Sequence, residues 1–241
     1  LRLRFYRGAD PHRAEPAQQL LLSLTAFAFM LVQISNNAEI VAGWLMGRFP
    51  QRVGHLYSPY GLGRIYEFCP YSLDNGKFAV WSSGKEWDAD GYRTFLAKVA
   101  SQPHAPRWAL VPDSVADPEG TLREWHQWAP EVARHGWPLA FAVQDGMGKS
   151  DVPKDAQVVF VGGSTEWKRK TMHDWCDWFP RVHVGRINTN RWLWECHEAG
   201  VESCDGTGWF RGDQLQLLGL VEYLEDSAAG RTNPRGAKLW T

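Results

Sequence analysis

Short apolar runs that stop at a proline, glycine or aspartate, most of them followed by a stretch of helical spacing, constrain this chain more than any other feature. Trp108-Ala109-Leu110-Val111 stops at Pro112-Asp113, and Pro118–His135 follows with apolar residues at Leu122, Trp125, Trp128 and Val132. Pro118 suits a first helical turn, and Pro130 predicts a kink or break. Pro138–Val143 stops at Gln144-Asp145-Gly146. Gln157–Val161 stops at Gly162-Gly163 and leads into a helix over Trp167–Trp178. Val182–Val184 stops at Gly185-Arg186 and leads into Thr189–Ala199, and Val201–Cys204 stops at Asp205-Gly206 before a last helix over Gln214–Glu225. Continuous apolar strands separated by helices predict a parallel sheet buried on both faces. The repeat, roughly 20–30 residues, is that of a βα unit. Upstream, Arg2–Tyr6, Phe29–Ile34, Gly54–Tyr57 and Phe78–Trp81 are further strand candidates. Eight or nine strands in 241 residues predict an α/β fold, a (β/α)8 barrel of near-minimal length, as a single domain over 1–241 with a tail over 231–241. An open doubly wound sheet is the alternative.

Composition excludes several classes. The formal net charge of −1 argues against a wholly basic nucleic-acid binder, and 44% hydrophobic residues argue against disorder. Four cysteines make no disulfide scaffold and predict a reducing compartment. The most apolar run, Leu20–Ile34, has 15 residues broken by Ser23, Thr25 and Gln33. That is shorter than the ~20 apolar residues of a spanning helix, so it reads as a buried helix end entering a buried strand. No membrane association is expected.

Both candidate folds gather functional groups at the carboxyl ends of strands. That rule singles out Asp113, Gln144, Asp145, Gly162, Gly163, Gly185, Arg186 and Asp205. Asp74 sits in the turn Leu73-Asp74-Asn75-Gly76, just before a strand candidate, and is less regularly placed. Carboxylates at one barrel mouth suit nucleophilic and acid/base work, although aspartate is also common in turns and caps. Gly162-Gly163 lets backbone approach a ligand, but matches neither a dinucleotide fingerprint nor a phosphate-binding loop.

In order, these residues resemble a known family. Asp74-Asn75-Gly76-Lys77-Phe78, Val111-Pro112-Asp113, Val143-Gln144-Asp145-Gly146, Phe160-Val161-Gly162-Gly163 and Gly200–Thr207 are similar to the motif series of tRNA-guanine transglycosylases. The likeness covers about residues 73–211. The stretches 160–164, 184–188 and 205–207 look closest to the DpdA branch of phages and bacteria, which places 7-deazaguanine bases in DNA. The resemblance implies that Asp205 is a nucleophile at C1′ and Asp74 a general acid and base. Asp113, Gln144, Asp145 and the Gly162-Gly163 backbone would read the base edge, and Phe78 and Val184 would sandwich its plane. The implied partners are DNA, or alternatively tRNA, and a free base such as 7-cyano-7-deazaguanine. The implied setting is the cytoplasm, that of the host if the chain is phage-encoded. The chemistry implied needs no cofactor and no metal. Lys77 stands where the family has glycine, and residues 1–72 carry no family motif. No Cys or His follows Asp205, so the family's zinc subdomain is not expected; His173, Cys176, Cys196 and His197 lack finger spacing.

Phosphate contact is expected from Lys168, Arg169, Lys170, Arg186, Arg191 and Arg211, since residues 164–191 hold six basic and three acidic side chains. A solvated helix face is the bland alternative. The pairs Trp125/Trp128 and Trp175/Trp178 stand at i, i+3, where core packing is a better reading than base stacking. Other functions compatible with the residues are a barrel glycosidase using two carboxylates and a non-catalytic nucleic-acid-binding homologue.

Overall fold

The structure, a computed structural model, describes residues 29–35, 39–61, 63–211 and 214–233. Eight strands, β1 (Leu31–Ile34), β2 (Val53–Tyr57), β3 (Tyr71–Leu73), β4 (Ala109–Leu110), β5 (Leu139–Val143), β6 (Val158–Val161), β7 (Val182–Val184) and β8 (Ser203–Gly206), pair in chain order. Every pairing is parallel and β1 closes against β8, so the sheet is a closed barrel. Among the described residues seven α-helices surround it: α1 (Glu39–Arg48), α2 (Lys77–Ser83), α3 (Ala89–Ala100), α4 (Pro118–Val132), α5 (Thr165–Trp178), α6 (Asn190–Glu198) and α7 (Gln214–Ala228). The (β/α)8 barrel is thus the fold, and the open-sheet alternative falls.

Alternation of side chains divides the sheet into two apolar layers. Leu56, Trp108, Leu110, Ala140, Ala142 and Val158 fill the barrel, with Phe160 against them. The outward residues, such as Val32, Tyr57, Phe141, Val161 and Val184, join the helices in one larger core. Trp125, Trp128, Trp175 and Trp194 are buried in that outer layer, the core role expected of the tryptophan pairs; Trp178 is exposed.

Two expectations about local structure fail. Phe78–Trp81 is not a strand but lies in α2. Gly76 enters the left-handed region at φ 77°, and the Asn75 side chain accepts from the Lys77 N–H at 2.8 Å, which starts a helical turn there. The strand in this part of the chain is β3, whose Tyr-Ser-Leu reads as neither an apolar run nor a clean alternation. The break expected at Pro130 does not occur: α4 runs through it to Val132, and a 3-10 turn carries the chain to His135. Asp117 caps α4 by accepting from Gly120 N–H. The candidate strand Arg2–Tyr6, the helix end within Leu20–Ile34 and most of the tail lie outside the described residues. No helix among the described residues is long and apolar enough to cross a membrane.

Candidate active site

The carboxyl ends of the strands bring the sequence candidates to one barrel mouth. Asp74 follows β3 directly, Gln144 follows β5, Gly162 follows β6, Gly185 follows β7, and Asp205 lies within β8. Asp74 is therefore as regularly placed as the others, because β3 precedes it.

Asp205 is held by a buried relay. His183 Nε2 is 3.1 Å from Asp205 Oδ1, and His183 Nδ1 is 2.9 Å from Ser203 Oγ. Because a carboxylate accepts, the ring carries its proton on Nε2, and Nδ1 accepts from the serine hydroxyl. His183 is fully buried, stacked on Phe160 at 4.7 Å and edge-on to Trp108 at 4.8 Å. Arg186 N–H also donates to Asp205 Oδ1, at 3.2 Å. Both bonds fall on Oδ1, and Oδ2 has no hydrogen-bond partner among the described residues. Gly185 lets the β7 end pack closely here, since a Cβ there would meet the Phe160 ring at 2.9 Å and Asp205 Oδ1 at 3.4 Å.

Asp74 is half-buried, and its Oδ1 accepts from Gly76 N–H at 2.7 Å. Burial pushes its carboxyl up to about 7 against that bond, and the Asp205 and Asp113 charges add to the rise. The turn that holds it needs glycine twice over. Gly76 has φ 77°, and a Cβ there would strike the Tyr60 ring at 2.7 Å.

Asp113 is buried between two amides. Asn75 Nδ2 donates to its Oδ1 and Gln144 Nε2 to its Oδ2, both at 2.8 Å. Burial raises its carboxyl while those bonds and the Lys77 charge hold it down. Asn75 also donates to Val111 O, and Trp87 Nε1 donates to Asn75 O, so the β3 and β4 ends are tied together. The result is a rigid, polar wall with one free N–H on Gln144 and spare carboxylate lone pairs.

Other candidates stand elsewhere. Val184 lies in the layer between sheet and helices and is fully buried, because alternation puts its neighbour His183 inside; it cannot face a base in the mouth. Phe160 occupies the inward position expected of it. Phe78 is 40% exposed at the rim. Lys168 cannot grip phosphate either, being buried with its Nζ donating to Gly185 O. Burial and the nearby Arg186 charge push its amine down to about 8. Arg169 pairs with Glu195 at 3.0 Å, Arg191 with Glu195 at 2.8 Å and Lys170 with Glu166 at 2.7 Å, so the basic stretch is largely met by its own carboxylates. Arg211 and Arg186 are exposed. Asp145 accepts from Ser164 N–H at 2.6 Å and sits where a Gly163 Cβ would go, fastening the β5 loop to the start of α5. Gly162 N–H donates to Val143 O. Sequence reasoning missed His183, Asn75 and Phe160; the inward parity that His183 shares with Asp205 across adjacent strands was the available signal.

No protein-family model matches the chain, and no curated protein does. A solved structure does resemble it: a chain of the tryptophan synthase α2β2 complex from the hyperthermophile Pyrococcus furiosus, at 10% identity and a TM-score of 0.51, covering 83% of this chain and 97% of that one. The likeness is one of fold. Its reach over most of both chains agrees with a closed (β/α)8 barrel, an architecture consistent with a carboxylate-dependent enzyme. Among the described residues no group of three His, Cys, Asp or Glu side chains is placed to hold a metal ion.

Proposed function

We propose that this chain is a base-exchange transglycosylase that replaces guanine in DNA with a 7-deazaguanine base. The observation that carries the reading is the unlike pair of carboxyls at one mouth. Asp74 is pushed up to about 7, so it holds a proton near neutrality, while Asp205 accepts two hydrogen bonds on one oxygen and has the other unbonded among the described residues. An acid and a nucleophile in one site are what glycosyl transfer with a covalent intermediate requires.

Asp205 Oδ2 attacks C1′ as the C1′–N9 bond breaks, and the bonding pair leaves with the base. Asp74 delivers its proton to that base, and guanine departs. The incoming 7-deazaguanine then loses its N9 proton to Asp74, and N9 displaces Asp205 from C1′. Atoms and charge balance over the two steps, and no cofactor enters. His183 and Arg186 N–H hold Asp205 in place through its Oδ1. The Asp113–Gln144–Asn75 wall accepts from and donates to the edge of a flat base, and Phe78 and Phe160 supply apolar surface. The target nucleotide must leave its stack to reach this depth. The choice of DNA rests on the resemblance of the stretches 160–164, 184–188 and 205–207. Four unpaired thiols suit a cytoplasmic setting.

The test is exchange of labelled guanine in DNA and, in parallel, in tRNA, with 7-cyano-7-deazaguanine added and nucleosides identified by mass. A modified deoxynucleoside that disappears in Asp205→Asn supports the proposal. A modified ribonucleoside alone moves the substrate to tRNA. Release of label with no insertion in either would overturn base exchange in favour of glycoside hydrolysis by the same two carboxyls.

A further inference from the structure

The rim of the mouth beside Asp74 carries aromatic surface that the exchange chemistry does not use. Tyr60, in the β2–β3 loop, and Trp81, on α2, are 52% and 55% exposed. Tyr60 is not a loose side chain, because its ring packs on the Gly76 backbone in the turn that holds Asp74. Trp81 is set by Phe78, whose ring centroid is 5.8 Å away. Phe78 is itself occupied: the Arg186 guanidinium lies 4.5 Å from its ring centroid. Arg186 follows β7, and Phe78 follows β3, on the opposite side of an eight-stranded barrel, so this contact reaches across the mouth. The same arginine donates to Gly163 O. Arg186 holds a positive φ of 61°, uncommon outside glycine. The open aromatic faces therefore belong to Tyr60, packed on the Gly76 turn that holds the proposed acid, and Trp81, beside the Phe78 that meets the cation spanning the entrance.

We propose that Tyr60 and Trp81 form a stacking platform for the nucleobases next to the target, so that the site takes an unpaired DNA strand rather than a duplex. This rests on the proposed function for the kind of ligand. A base drawn to the depth of Asp205 leaves its neighbours unstacked at the rim, and two exposed rings there replace the lost stacking. Aromatic stacking tolerates any base, because every base has a π-face. Arg186 lies where the strand's phosphates enter, and its contact with Phe78 opens as the target base goes in.

The experiment is fluorescence anisotropy of the full chain with a labelled oligothymidylate of about a dozen nucleotides, a single strand that site-size arguments allow to span the rim, and with the same strand in duplex with oligoadenylate. Neither contains guanine, so the measurement reads the platform and not base exchange. Single strand should bind more tightly than duplex. Trp81→Ala and Tyr60→Ala should each weaken it by about tenfold, in the range of one lost base stack. Trp81→Phe should retain most of the affinity, and Trp178→Ala, an exposed tryptophan on α5, should leave it unchanged. Equal or tighter duplex binding, or a Trp81→Ala protein that binds like the native one, overturns the proposal. So does self-association of the native chain that Trp81→Ala abolishes with no change in strand affinity. Strand binding without base exchange would refute the proposed function and keep the platform. Exchange without a Trp81 effect would do the reverse.

Discussion

Replacing Asp74 by Asn should stabilise the protein, and the gain should grow with pH. The native carboxyl is pushed from its ordinary 3.8 to about 7, so between those values the folded protein holds a proton that the unfolded chain has lost. Stability must therefore fall as pH rises through that window. At ~1.4 kcal/mol per pH unit the ceiling by pH 8 is roughly 4 kcal/mol. The side chain keeps some contact with water, and screening brings the working figure to about 2 kcal/mol. Asparagine has nothing to ionise, and its Oδ1 can still accept from Gly76 N–H, which the native carboxylate does at 2.7 Å. Asp74→Asn should match the native protein near pH 4 and exceed it by about 2 kcal/mol at pH 8. Urea unfolding followed by tryptophan fluorescence at pH 4, 6 and 8 measures this directly, and the difference between the two proteins cancels the titrating groups not coupled to Asp74. The same variant should lose base exchange, because a general acid has been traded for stability. A gap that stays constant with pH would refute the reasoning, since it would mean that the mouth does not hold the Asp74 proton.

Three further outcomes follow from named contacts. His183→Phe keeps a ring between Phe160 and Trp108 but removes the donor to Asp205; exchange should fall about ten- to hundredfold, as for one charge-assisted hydrogen bond, and His183→Gln should recover part of it. Glu202 is buried at the base of β8, where it receives Arg107 at 2.7 Å and Arg181 at 2.8 Å, and these partners hold its carboxyl below its usual range despite burial. Glu202→Gln should cost about 2 kcal/mol at pH 7 by chemical denaturation, with the loss shrinking in acid, below the usual glutamate range, where the native carboxylate takes up its proton. Gly76→Ala should cost more than about 1 kcal/mol and weaken exchange, because φ 77° and the Tyr60 ring both exclude a Cβ; an unchanged melting temperature would contradict the packing of that turn.

Much of the barrel was legible because a parallel strand buried on both faces must be apolar along its length. β4, β5 and β6 announce themselves in this way, their runs stopping at Pro112, Gln144 and Gly162, while β7 and β8 hold polar residues and are marked by the Gly185 and Asp205-Gly206 stops. β3 did not, since three residues with a serine inside show no period, and Phe78–Trp81 has strand-like composition but folds as a helix under the Gly76 turn. For the site, the strand-end rule found Asp113, Gln144 and Asp205 from their positions alone. It could not find His183, whose value depends on what stands beside it in the next strand.

The sequence by itself determined the α/β class of fold, most of its strands and the carboxylates at their ends, because burial and turn chemistry act on neighbours along the chain. Only the tertiary structure decided which residues share the mouth. Closing the sheet puts β7 beside β8 and aims His183 at Asp205. The same closure turns Val184 away, seals Lys168 under the β7 turn and brings Arg169 of α5 to Glu195 of α6, whereas Lys170–Glu166 and Arg191–Glu195 are i, i+4 pairs within one helix. Those outcomes depend on barrel closure and on the inward or outward parity of each strand, and a one-residue change of register would reverse every one of the strand assignments.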